Sequence, residues 1–266
     1  NMGEVMAVRG VFACAMLLLL AWRMGGLKAS KALRSPIIAL RTAADVGGTV
    51  TYMLALQYIP LNNVVSIFQT LPLVVTLGSV LFFGEKVGWR RWSAIAAGFA
   101  GVLLIIRPGF EGFNAFSLLV LASVFFCSIR DMATQRIPAG IPTIQVSGIT
   151  ALAILVSGVV LTGPLGGWQP VAPRELIILF CAAVFVISGY MALITAMRIG
   201  DISFVAPFRY AALIWSGMFA FLFFAEVPDG LTFTGAAMIA ASGIFTLYRE
   251  RIAGKSKTAA KAAQPS

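Results

Sequence analysis

Arg41 and Asp45 stand four residues apart in a stretch that otherwise carries no charge, a spacing that puts both on one face of a helix. A carboxylate there can take a substrate amine or a coupling proton, or it can neutralise Arg41 in a structural ion pair. Arg209 lies two residues after Pro207 and beside Tyr210. Its guanidinium can hold a carboxylate or phosphate through two parallel hydrogen bonds, or snorkel to headgroups. Gln69 corresponds to Tyr210 at an offset of 141 residues, from 69 to 210, and is another polar group that needs a partner. Tyr52, Tyr190 and Trp215 sit inside apolar runs, where they can stack on a planar solute or pack helices. Pro72 and Pro207 interrupt such runs and predict bends, because proline frees a backbone carbonyl. Arg9 is read as snorkelling to the outer headgroups.

All of this is binding chemistry. The chain has no histidine among 266 residues, which removes Ser-His-Asp triads and histidine relays. Cys14, Cys127 and Cys181 lie in apolar stretches without a CxxC, and read as buried hydrophobes, not metal ligands or disulfides. No span holds two acids together, so an intramembrane enzyme lacks an acid–base pair. No metal site, cofactor or catalytic residue is expected.

The elements that must position these residues follow from composition. The chain is 59% hydrophobic and 11% charged, with a mean hydropathy of +0.93. Ordinary soluble domains are about 45–50% apolar and about 25% charged, so lipid is the fitting solvent. The apolar runs are continuous, which predicts helices and not barrel strands. Nine spans are predicted, roughly 4–23, 35–58, 62–84, 89–106, 112–130, 141–163, 173–197, 201–225 and 230–249.

Net charge is +10. The basic residues are not interleaved with aromatics as a nucleic-acid surface would require. They fall into alternate connections: fifteen of the 20 Lys and Arg occupy odd loops and the tail, Arg130 and Arg136 among them, and only Arg107 and Arg174 the others. This asymmetry places the C-terminus in the cytoplasm, and Asn1 outside, as expected if a further span precedes it. Residues 250–266 read as a disordered basic tail.

Leu81-Phe82-Phe83-Gly84-Glu85 recurs as Leu222-Phe223-Phe224-Ala225-Glu226, again 141 residues on, from 85 to 226. The Glu85 loop is basic and the Glu226 loop acidic, so the two halves are predicted to run in opposite directions through the membrane. Residues 1–108 form the first repeat, with four helices seen, and 109–249 the second, with five. The predicted fold is an all-α integral membrane protein of two inverted-topology repeats, five plus five, with nine helices visible.

On these residues the chain resembles the drug/metabolite transporter superfamily, EamA type. The resemblance rests on Arg9, the Leu81–Glu85 motif with Gly98 and Gly101, the run Phe204-Val205-Ala206-Pro207-Phe208-Arg209-Tyr210, Phe224-Ala225-Glu226, and Gly235 to Gly243. It implies a multi-pass transporter of a bacterial-type inner membrane, with a small-molecule substrate and the bilayer as partners and no nucleic acid. An amino acid-like zwitterion is the leading expectation for that solute. Asp45 would meet the amine, Arg209 the carboxylate, and Tyr52, Tyr190, Tyr210 and Trp215 the side chain, with Arg41 and Gln69 nearby. Uptake of a larger metabolite such as riboflavin or S-adenosylmethionine is the alternative. A non-transporting scaffold is the reading from another class, and predicts no polar cavity.

Overall fold

The computed structural model describes residues 1–23, 35–83, 89–106, 114–138, 140–199, 211–225 and 229–262. Every regular element among them is a helix: α1 (Met2–Arg23), α2 (Pro36–Ala55), α3 (Leu61–Phe68), α4 (Leu71–Phe83), α5 (Trp89–Ile106), α6 (Ser117–Gln135), α7 (Thr143–Thr162), α8 (Pro173–Ile199), α9 (Ala211–Phe224) and α10 (Gly230–Ala262). Among the described residues, Met2–Arg23, Ser117–Gln135, Thr143–Thr162 and Pro173–Ala196 are long and apolar enough to cross a bilayer. Their surfaces are inverted relative to a water-soluble protein. Phe185 on α8 is 78% exposed, while Arg41, Asp45, Asp131 and Thr150 are buried. Lipid accepts the apolar exterior, and the helical backbone satisfies its own polar groups.

Three expectations need correction. The span predicted over 62–84 is two helices, α3 and α4. Proline at 72 supplies no N–H, and its ring would strike the carbonyl four residues back, so the helix must stop near Phe68. It does so through a tight turn. The Thr70 N–H donates to the Ile67 carbonyl at 3.0 Å, and the Thr70 hydroxyl donates to the same carbonyl at 2.7 Å. The chain resumes α-helix when the Val74 N–H reaches the Thr70 carbonyl. The tail predicted to be disordered is helical as far as Ala262; it is rich in alanine and lysine, both strong helix formers. Cys181 is exposed on α8 rather than buried, while Cys127 is buried and Cys14 half-buried. Pro207, Arg209, Tyr210, Glu85 and Glu226 lie outside the described residues.

The helices pack as two compact units, Asn1–Met53 with Ile129–Ile199, and Leu54–Ser128 with Gly200–Ser266. Each draws on both sequence halves. In unit 1, α1 lies along α7 and α8. The approach of α1 to α7 depends on glycine: a Cβ on Gly158 would stand 2.5 Å from the Ala7 nitrogen and 2.9 Å from the Gly3 carbonyl oxygen, and one on Gly10 would stand 2.9 Å from the Leu155 Cα. Bare backbones in contact gain dispersion energy that lipid cannot match. Ala13, Leu17, Ala21, Ile144 and Ile187 form one apolar cluster of this unit, and Ile38, Ile137, Ile141, Val146 and Ile194 another. In unit 2, α5 meets α10 through Gly101 and Gly235, each standing against the other's carbonyl oxygen. Leu71, Val124 and Cys127 pack α4 against α6.

Candidate functional site

Unit 1 holds a charged network at the middle of its helices. Asp45, halfway along α2, is 1% exposed. Its Oδ1 accepts a hydrogen bond from Arg130 Nη1 at 3.1 Å, and its Oδ2 accepts one from the Tyr190 hydroxyl of α8. The same Oδ2 is 4.0 Å from Arg41 Nη1. The Arg41–Asp45 pair anticipated from their spacing therefore exists, but Arg130 is the closer cation. Arg130 in turn donates from Nε to Asp131 Oδ1 at 2.9 Å.

Arg41 is held mainly by hydroxyls. Its Nε donates to Thr134 Oγ1 at 3.0 Å, and its Nη1 donates to Thr150 Oγ1 at 2.5 Å. Each threonine spends its own proton on the carbonyl four residues back, Thr134 on Arg130 and Thr150 on Val146. That bond points oxygen lone pairs at the guanidinium, so helix geometry turns both hydroxyls into acceptors. The Tyr190 ring completes the enclosure, with its centroid 5.6 Å from Arg41 Cζ, within cation–π range.

The four charges of the network, Arg41 and Arg130 against Asp45 and Asp131, cancel. Burying them costs desolvation energy that only such complete pairing offsets. Every acceptor position of Asp45 that the network reaches is already occupied. An arriving amine would have to displace an arginine or the tyrosine.

Beside the network, α1, α7 and α8 line a partly open pocket. Ala13, Leu17, Ile154, Val186 and Ile187 give it apolar walls, and Arg9, Ser147, Thr150 and Tyr190 line it with polar groups. Thr150 and Tyr190 belong to both cavity and network, so a solute in the cavity touches the groups that hold Arg41 and Asp45.

The structure brings Arg41, Asp45 and Tyr190 together. It places Arg9, read as a snorkelling residue, in the cavity wall. Tyr52 is half-buried on α2 and is not one of the cavity-lining residues. Gln69 is buried in unit 2 at the break between α3 and α4, and Trp215 is exposed on α9, its ring 6.1 Å from that of Phe219. Arg130, Asp131, Thr134 and Thr150 were not foreseen. Arg130 counts as a loop charge if the span ends at 130, but α6 continues to Gln135. The adjacent Arg-Asp pair was the available signal, since a loop cation has no need of a neutralising neighbour.

Comparison with known proteins gives consistent matches. A family profile described as "EamA-like transporter family" matches residues 1–107. A riboflavin transporter of Vibrio cholerae is 32% identical over 209 residues, covering 77% of this chain and 69% of that protein. An S-adenosylmethionine uptake transporter of Rickettsia bellii is 27% identical, over 79% of this chain and 72% of that one. A pseudopaline exporter of Pseudomonas aeruginosa is 24% identical, over 77% and 72%. One solved crystal structure superposes with a TM-score of 0.69 at 21% identity, covering 94% of this chain and 88% of that chain, a likeness of fold alone.

Proposed function

The chain belongs to the EamA-like transporter family of drug/metabolite transporters and is a multi-pass membrane transporter, not an enzyme; from that premise we propose that it carries an amphipathic metabolite larger than an amino acid by alternating access. The observation behind this reading is the cavity of unit 1, apolar along its walls and polar where Arg9, Thr150 and Tyr190 meet it. Such lining suits a solute with a planar or apolar body and a few polar groups. The names of the relatives, which concern riboflavin and S-adenosylmethionine among others, agree with a solute larger than an amino acid. An amino acid-like zwitterion has less support, because Asp45 is occupied by Arg130 and Tyr190 and would have to release a partner to take an amine.

In the same reading the repeats 1–108 and 109–249 run in opposite directions through a bacterial-type inner membrane, with the C-terminus in the cytoplasm. The lopsided distribution of Lys and Arg supports this orientation. Arg130 now belongs to α6 and not to a loop, and the asymmetry survives its removal. Inverted repeats let two bundles rock about a fixed site.

The test is uptake into proteoliposomes of the purified chain, offered radiolabelled riboflavin, S-adenosylmethionine and leucine in separate assays. The expected result is saturable uptake of at least one of the two larger solutes and none of leucine. Saturable leucine uptake with neither larger solute moving would overturn the proposal.

A further inference from the structure

We propose that Arg9 is the anion-binding residue of the unit 1 cavity, and that the transported solute carries a carboxylate or phosphate. The inference rests on the reading that a solute occupies this cavity. It comes from charge accounting. Arg41 and Arg130 are matched by Asp45 and Asp131 through the contacts described. Arg9 is the surplus cation. It lines the cavity, and among the described residues no side-chain hydrogen bond or ion pair engages its guanidinium. Glu4 lies on the same helix and is buried, but it is not one of the cavity-lining residues.

An ionised group inside a membrane-spanning helix is costly, and such groups generally mark a solute or ion pathway. Guanidinium geometry matches a carboxylate or phosphate through two parallel bonds. Ala13, Leu17 and Ile187 leave an apolar bed for the rest of the molecule.

Riboflavin and flavin mononucleotide make a matched pair of probes, since they share one planar body and differ by a phosphate. Binding is measured on the detergent-solubilised full chain by quenching of flavin fluorescence, and uptake in proteoliposomes. Wild type is expected to bind flavin mononucleotide at least tenfold more tightly than riboflavin. Arg9→Gln brings the phosphorylated flavin down to the riboflavin level, and Arg9→Lys retains part of the preference, because the charge remains while the fork geometry is lost. Should Arg9→Gln fail to fold, the wild-type preference and the Arg9→Lys ratio decide. Equal binding of both flavins by wild type, or a preference that survives in Arg9→Gln, would overturn the assignment while leaving the carrier reading in place. If wild type neither binds nor moves either flavin, this assignment falls; saturable S-adenosylmethionine uptake in the same vesicles leaves the proposal of a larger solute standing, and its absence overturns that proposal as well.

Discussion

Asp45→Ala is expected to destabilise the folded protein by about 3–5 kcal/mol, the usual cost of removing one partner from a buried ion pair. Asp45 accepts from Arg130 and Tyr190 and stands 4.0 Å from Arg41. Its loss leaves two guanidinium groups in unit 1 with only Asp131 as counter-charge, and Arg41, 1% exposed, is sealed from the surface. In a low-dielectric interior the like charges also repel. Thermal unfolding in detergent is the check, with a large fall in midpoint and a poor yield of monodisperse protein expected. Tyr190→Phe isolates one component. It keeps the ring over Arg41 and removes only the hydroxyl bond to the carboxylate, so a loss of about 1.5–3 kcal/mol is expected, the range for hydrogen bonds to charged groups. Wild-type stability of Asp45→Ala would mean the network is not closed as described.

Gly158→Val is expected to cost about 3 kcal/mol, at the upper end of overpacking effects. The atoms in the way are backbone, Ala7 N and Gly3 O, which cannot rotate aside. The whole of α1 must move off α7, and with it Arg9 and one wall of the cavity. The consequence is therefore double, a lower unfolding midpoint and weaker solute binding. Gly148 lies on the same helix with nothing within 4 Å of a Cβ built there. Gly148→Ala is expected to gain about 0.5–1 kcal/mol, because alanine is the better helix former. Opposite signs at two glycines of one helix distinguish close packing from general intolerance of substitution.

These two sites also show what could and could not be read from the chain itself. Long uncharged runs predicted most of the helices, because in lipid a spanning backbone must close its own hydrogen bonds. Arg41, Asp45 and Tyr190 stood out because a polar side chain in such a run needs a reason. Their partners did not stand out. Thr134 and Thr150 look like ordinary helix residues until the packing of α2 against α6 and α7 aims a guanidinium at them, and Arg130 looked like a loop charge because hydropathy fades before its helix ends. Pro72 announced a bend, but only the clash with the carbonyl of Phe68 places the break before it and not at it. The 141-residue repeat describes symmetry along the chain. Which helices pack together is set by surface fit, such as Gly3, Gly10 and Gly158, and the two compact units accordingly mix helices of both halves.

The central claim is that the solute passes through the cavity of unit 1, and filling that cavity tests it most directly. Ala151 lines it from α7, half-buried beside Ala13 and Leu17. Ala151→Phe places an aromatic ring in the space from a position whose own side chain makes none of the network's hydrogen bonds or ion pairs. The measurement is initial uptake rate in proteoliposomes, for whichever larger solute wild type carries, alongside the unfolding midpoint. The account predicts a folded variant, within a few degrees of wild type, that transports at less than a tenth of the wild-type rate. A folded variant that transports at the wild-type rate would contradict it.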